Sequence, residues 1–74
     1  MSYKSYASKV TLEPQEKLKV EFPWGYFKNT PTLNVSSNMN SSPDILTVNK
    51  KYFIIFNNTN VRVVYHYVAI LHSE

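Results

Sequence analysis

Residues 17–22 alternate without a fault, with Leu18, Val20 and Phe22 on one side and Lys17, Lys19 and Glu21 on the other. Such a period of two predicts a half-buried strand. Pro23-Trp24-Gly25-Tyr26 breaks it, and Gly25, the only glycine, is predicted to take a positive φ. Alternation resumes after Pro31, with Leu33 and Val35 inward and Asn34 and Ser36 outward. Residues 38–43 read as a loop, residues 45–48 as a short strand, and Asn49-Lys50 as a tight turn. Residues 52–56 are continuously apolar, which predicts a strand buried on both faces. A second turn cluster, Asn57-Asn58-Thr59-Asn60, leads into the longest strand, residues 61–71, rich in β-branched and aromatic side chains. Upstream, residues 6–12 make a weaker strand ended by Pro14, so residues 1–15 form an N-terminal arm or a weak first strand. No stretch carries helical periodicity with caps. The expectation is one all-β domain spanning residues 1–74, a small antiparallel β-sandwich of five to six strands.

The pattern also has a surplus. In the last strand Val63, Tyr65, Tyr67, Ala69 and Leu71 make one face, yet Val64, Val68 and Ile70, with His66 among them, make the other face apolar too. Tyr52, Ile54 and Phe56 double the preceding strand in the same way. A two-layer sandwich requires only one apolar face per strand. Seventy-four residues bury roughly 60% of the surface of the unfolded chain, and without cysteine no disulfide makes up the shortfall. Burial against a second copy is the usual remedy. The surplus face, Tyr52, Ile54, Phe56, Val64, His66, Val68 and Ile70, is therefore expected to be a subunit interface. The competing reading lays residues 1–14 over that face.

Composition narrows the function classes. At 43% hydrophobic and 18% charged residues the chain is too apolar for disorder. A net charge of +3 permits anionic partners without demanding them. No apolar core follows Met1-Ser2-Tyr3-Lys4-Ser5, so no signal peptide is expected. Nor is insertion into a membrane, because no apolar run is long enough for a spanning helix. Glu13, Glu16, Glu21, Asp44 and Glu74 are scattered, and no phosphate loop or nucleophile elbow is present. The chain is thus expected to be no enzyme and to hold no cofactor. His66 and His72 share a strand face, but six residues at ~3.3 Å place them roughly 20 Å apart. One subunit cannot chelate a single ion with both, so packed or exposed histidines are favoured over a metal site.

Candidate binding residues lie in the loops. Sugars are held by an aromatic face for stacking and by amides and carboxylates for hydroxyls. Trp24 and Tyr26 supply rings; Asn38, Asn40, Asp44, Asn57 and Asn58 supply the polar groups, with Asn60 beside them. The plainer alternative, preferred for Trp24, is that it plugs an open end of a core with few other large residues while the asparagines make turns. Nucleic acid is the rival ligand. Lysines interleaved with Glu16 and Glu21, and Lys50-Lys51 standing as only a pair, argue against it.

The order of these pieces resembles the H-type lectin fold, which also forms the tips of many phage tail fibres. The resemblance is carried by Val20-Glu21-Phe22-Pro23 with Phe27, then Pro31-Thr32-Leu33-Asn34-Val35. It continues in Leu46-Thr47-Val48 leading into Tyr52-Phe53-Ile54-Ile55, and in the terminal Tyr65-His66-Tyr67-Val68-Ala69-Ile70. It implies a six-stranded antiparallel sandwich, assembly as a homotrimer, and a ligand bound near subunit boundaries. Tyr67 stands where animal members carry tryptophan, and the central loop is cut down to residues 38–43. The function implied is a receptor- or carbohydrate-binding head of a virion, on a tail fibre or the particle surface, with a cell-surface glycan as the partner. A purely structural virion or fibre assembly protein is the alternative.

Overall fold

The computed structural model describes residues 3–39 and 42–72. Six strands follow in order: β1 (Tyr3–Leu12), β2 (Lys17–Glu21), β3 (Thr32–Ser37), β4 (Asp44–Val48), β5 (Tyr52–Phe56) and β6 (Val63–His72). They form two three-stranded antiparallel sheets, β1-β6-β3 and β2-β5-β4, with no helix among the described residues. β6 and β5, the two strands with apolar residues on both faces, occupy the two centres. A central strand has neighbours on both sides, so its β-branched and aromatic side chains pack across two ladders.

One core joins the sheets. Val63, Tyr65, Tyr67, Ala69 and Leu71 of β6 are buried, as are Phe53 and Ile55 of β5, Leu12 of β1, and Phe22 and Phe27 from the segment after β2. Phe53 and Tyr67 meet across the sheets with ring centroids 4.9 Å apart at 71°, an edge-to-face arrangement that ring quadrupoles favour. Full burial of each large apolar side chain contributes about 1.5–3 kcal/mol.

Several expectations are corrected here. β1 runs from Tyr3 and pairs with β6 along its whole length, from Tyr3↔His72 to Leu12↔Val63. Its weak sequence signal reflects inward positions filled by Lys4, Tyr6, Ser8, Val10 and Leu12. Being an edge strand of the sheet, β1 does not lie over the outer face of β6, so the covering role considered for residues 1–14 is not what the described residues do. β6 begins at Val63 rather than Val61, because the Val61 carbonyl is taken by Asn57 Nδ2 at 2.8 Å. Trp24 does not plug the core: it is 98% exposed. Phe22 and Phe27, 5.0 Å apart and edge-on, fill that end instead. The outer face of β5 is only partly buried, flanked in register by Lys17 beside Phe56 and Lys19 beside Ile54. Lysine stems cover apolar neighbours while their ammoniums stay in water.

Candidate functional site

Trp24 owes its exposure to backbone chemistry. The Tyr26 N–H donates to the Pro23 carbonyl at 3.0 Å, closing a four-residue turn. Gly25, third in that turn, has φ 72°, the conformation that glycine adopts without steric cost. The corner position before it projects Trp24 into solvent. Tyr26 then turns back inward. Its hydroxyl donates to the Ser5 carbonyl at 2.5 Å, its ring packs edge-on against Tyr6 and Phe27, and the Lys4 ammonium sits 4.4 Å from its centroid. Tyr26 is thus a strut between this turn and β1.

A second turn faces the tryptophan. Asn49 Oδ1 accepts from the backbone N–H groups of Lys51 and Tyr52 at 2.8 and 3.0 Å, which fixes the β4–β5 hairpin tip. The Phe22 N–H donates to the Lys51 carbonyl at 2.9 Å, tying this tip to the end of β2. Between the two turns lies a cleft of about 440 Å³ lined by Lys19, Glu21, Phe22, Pro23, Trp24, Gly25, Phe27, Lys50, Lys51 and Tyr52. The Lys19 ammonium lies 4.7 Å from the Tyr52 ring centroid and 3.9 Å from a Glu21 carboxylate oxygen. An aromatic wall beside positive charge can hold a ring through its flat face and an anionic substituent through the ammoniums.

The other candidate ligand residues lie elsewhere. Asn38, Asp44, Asn57 and Asn58 gather toward the opposite end of the sheets, about four strand residues or ~13 Å from Tyr52. Asn57 is fully buried; its Nδ2 donates to the carbonyls of Leu12, Glu13 and Val61, and its Oδ1 accepts from Thr59 and Tyr65. No group of it is left for a ligand. Asn58 donates to the Ser42 carbonyl at 3.2 Å, and Asn38 Oδ1 accepts from the Val64 N–H at 3.3 Å, so both serve the backbone. Asp44 is exposed on the edge strand β4, opposite Phe56. Asn40 lies outside the described residues. Lys19, Lys50 and Lys51, which complete the cleft, were not among the sequence candidates. Their signal was the Lys50-Lys51 pair next to Tyr52, and only the Glu21↔Tyr52 register brings that pair to Trp24.

The interface candidates divide as well. Val64, His66, Val68 and Ile70 point outward from the β1-β6-β3 sheet, whereas Tyr52, Ile54 and Phe56 point outward from the β2-β5-β4 sheet. They therefore form two patches, one on each sheet, rather than one continuous face. Val64, Val68 and Ile70 are half-buried among Thr11, Ala7, Ser5, Asn34 and Thr32. His66 and His72 are exposed, the latter with its ring 5.9 Å from that of Tyr3. Among the described residues no group of three or more His, Cys, Asp or Glu is placed to hold a metal ion.

Two buried phenols are perturbed. Burial pushes Tyr65 above its ordinary value, with the nearby Asp44 charge adding to the effect. Burial likewise raises Tyr67, opposed by a hydrogen bond with Ser8 and reinforced by Tyr6. Both belong to the core rather than to the cleft. No protein-family model, curated protein or solved structure matches this chain.

Proposed function

We propose that this chain is the carbohydrate- or receptor-binding head of a viral or phage fibre, built as a six-stranded sandwich and assembled as a homotrimer. The observation that carries the reading is Trp24, 98% exposed on the lip of an aromatic-walled cleft. A large indole held in water by a tight turn is unfavourable for the free chain and useful only where something covers it. The cleft's size suits one or two sugar rings, at the lower end of the ~300–1,000 Å³ range of ligand sites. Trimerisation is supported by the two outward apolar patches. A three-fold ring uses head-to-tail contacts in which one patch meets a different patch of its neighbour, and two separate patches on one subunit suit that geometry. A glycan array tests the function. It should give hits that Trp24→Ala removes while the melting temperature is unchanged. An array blank for the wild type, or hits indifferent to Trp24, overturns the reading.

The purely structural alternative, an assembly protein with no ligand, is favoured by one observation. Val64, Val68 and Ile70 make an apolar outer stripe that nothing covers among the described residues. Trimerisation with a blank array would decide for it.

A further inference from the structure

We infer that the Trp24 cleft takes an acidic saccharide, a sugar ring bearing a carboxylate, sulfate or phosphate. The inference rests on the carbohydrate reading above and narrows it. Its basis is what the cleft contains and what it lacks. Neutral sugars are gripped by amides and carboxylates that match paired hydroxyls. Among the described residues that line this cleft there is no amide side chain and no Ser or Thr hydroxyl, and Glu21 is the one carboxylate. The asparagines that would serve a neutral sugar stand at the far end of the sheets, where Asn57 and Asn58 are committed to backbone groups.

The side-chain donors that remain are mainly ammoniums. Lys50 and Lys51 sit on a hairpin tip whose backbone Asn49 clamps, and neither has an ion-pair partner among the described residues. Lys19 is shared between Glu21 at 3.9 Å and the Tyr52 ring at 4.7 Å, leaving its remaining N–H directions open. Three lysines against one carboxylate give the cleft a net positive charge, which concentrates anions and steers their approach. Lysine acts there as a point charge that tolerates several acid geometries. Trp24 supplies the open apolar face for the ring that carries the acid, while Tyr52 holds the Lys19 ammonium at the cleft wall.

A nucleic-acid strand would share the phosphates and the stacking, but it requires a basic track with successive platforms several nucleotides long. The cleft is compact, and beyond it the same sheet face presents Asp44 opposite Phe56.

The test uses matched pairs that differ only in the acid: 3′-sialyllactose against lactose, and sulfated against unsulfated disaccharides, within an array of acidic and neutral glycans. Titration calorimetry at two salt concentrations then measures the hits. The acidic member should bind about tenfold tighter, and the advantage should shrink as salt rises. The double variant Lys50→Gln/Lys51→Gln should erase the advantage, whereas Trp24→Ala should weaken both members, each variant keeping its melting temperature. Equal affinity within the pairs, neutral hits alone, or an acid preference that survives the double variant overturns this inference and leaves the carbohydrate reading standing. An array with no hits overturns both. Tighter binding of a single-stranded oligonucleotide than of any acidic glycan also overturns it.

Discussion

The Tyr65 hydroxyl donates to Asn57 Oδ1 at 3.2 Å, joining the turn after β5 to the first residues of β6 inside the core. The same side chain holds the end of β1 through the Leu12 and Glu13 carbonyls at 3.2 and 3.0 Å. Asn57→Ala would strip partners from several buried polar groups at once. It should destabilise by about 3 kcal/mol, comparable to the roughly 3–5 kcal/mol that a core of this size supplies. Asn57→Asp should be worse, because it replaces the amide donor with a charge facing three carbonyl oxygens. Urea denaturation checks both; a midpoint that barely moves for Asn57→Ala would remove the asparagine from its structural role.

Alkaline pH should weaken the fold. Tyr65 and Tyr67 titrate above the ordinary phenol value of 10.0 when folded and at that value when unfolded. Below pH 10 both states keep the protons, so this contribution is fully present. Above it the unfolded chain ionises first, and stability falls as pH rises toward the folded-state values. The melting temperature should therefore drop above pH 10, and the double variant Tyr65→Phe/Tyr67→Phe should show a shallower drop than the parent. Identical slopes would place the alkaline transition on other groups.

Trp24 and Gly25 separate function from stability. A Cβ built on Gly25 meets nothing within 4 Å, so the cost of Gly25→Ala is the left-handed backbone alone, about 1–2 kcal/mol. Gly25→Asn should cost less, since a short polar side chain tolerates that region. Trp24→Ala should change stability by no more than ~0.5 kcal/mol, as for an exposed residue. A loss of about 3–5 kcal/mol, typical of a core tryptophan, would contradict its position.

Val68 tests assembly. It faces outward between Ala7 and Asn34 at the centre of the apolar stripe. In a trimer buried there, Val68→Lys would place an unpaired charge in an apolar contact, and the subunits should separate. Analytical ultracentrifugation on wild type and variant checks this. A wild type already monomeric at micromolar concentration, or a variant with unchanged mass and melting temperature, shows that the stripe serves no subunit contact.

The strands were legible where alternation was local. β5 has the expected bounds, and the positive φ at Gly25 is present. β1 was faint because its register depends on β6, some sixty residues further along the chain, and its own inward positions include a lysine and a serine. Asn57 looked like a turn residue because nothing in Asn57-Asn58-Thr59-Asn60 distinguishes the buried asparagine from the exposed Asn58 and Asn60. Trp24 misled for the opposite reason: size argued for burial, whereas turn geometry placed it outside. Gln15 was silent, yet it takes φ 60° after Pro14 and donates to the Thr59 carbonyl at 2.9 Å. No residue-type pattern announces a strained glutamine held from across the fold.

The pairing of Tyr3 with His72 has a mechanical consequence. Tension applied through these two residues acts at one end of the β1–β6 ladder and across it, so the rungs break in succession toward Leu12 and Val63. Tension between Tyr3 and Val63, at opposite ends of the same ladder, loads every rung together. Single-molecule pulling should accordingly record a low rupture force in the first geometry and a higher one in the second. Under load the ladder behaves as a zipper from its Tyr3–His72 end and as a lap joint along its length.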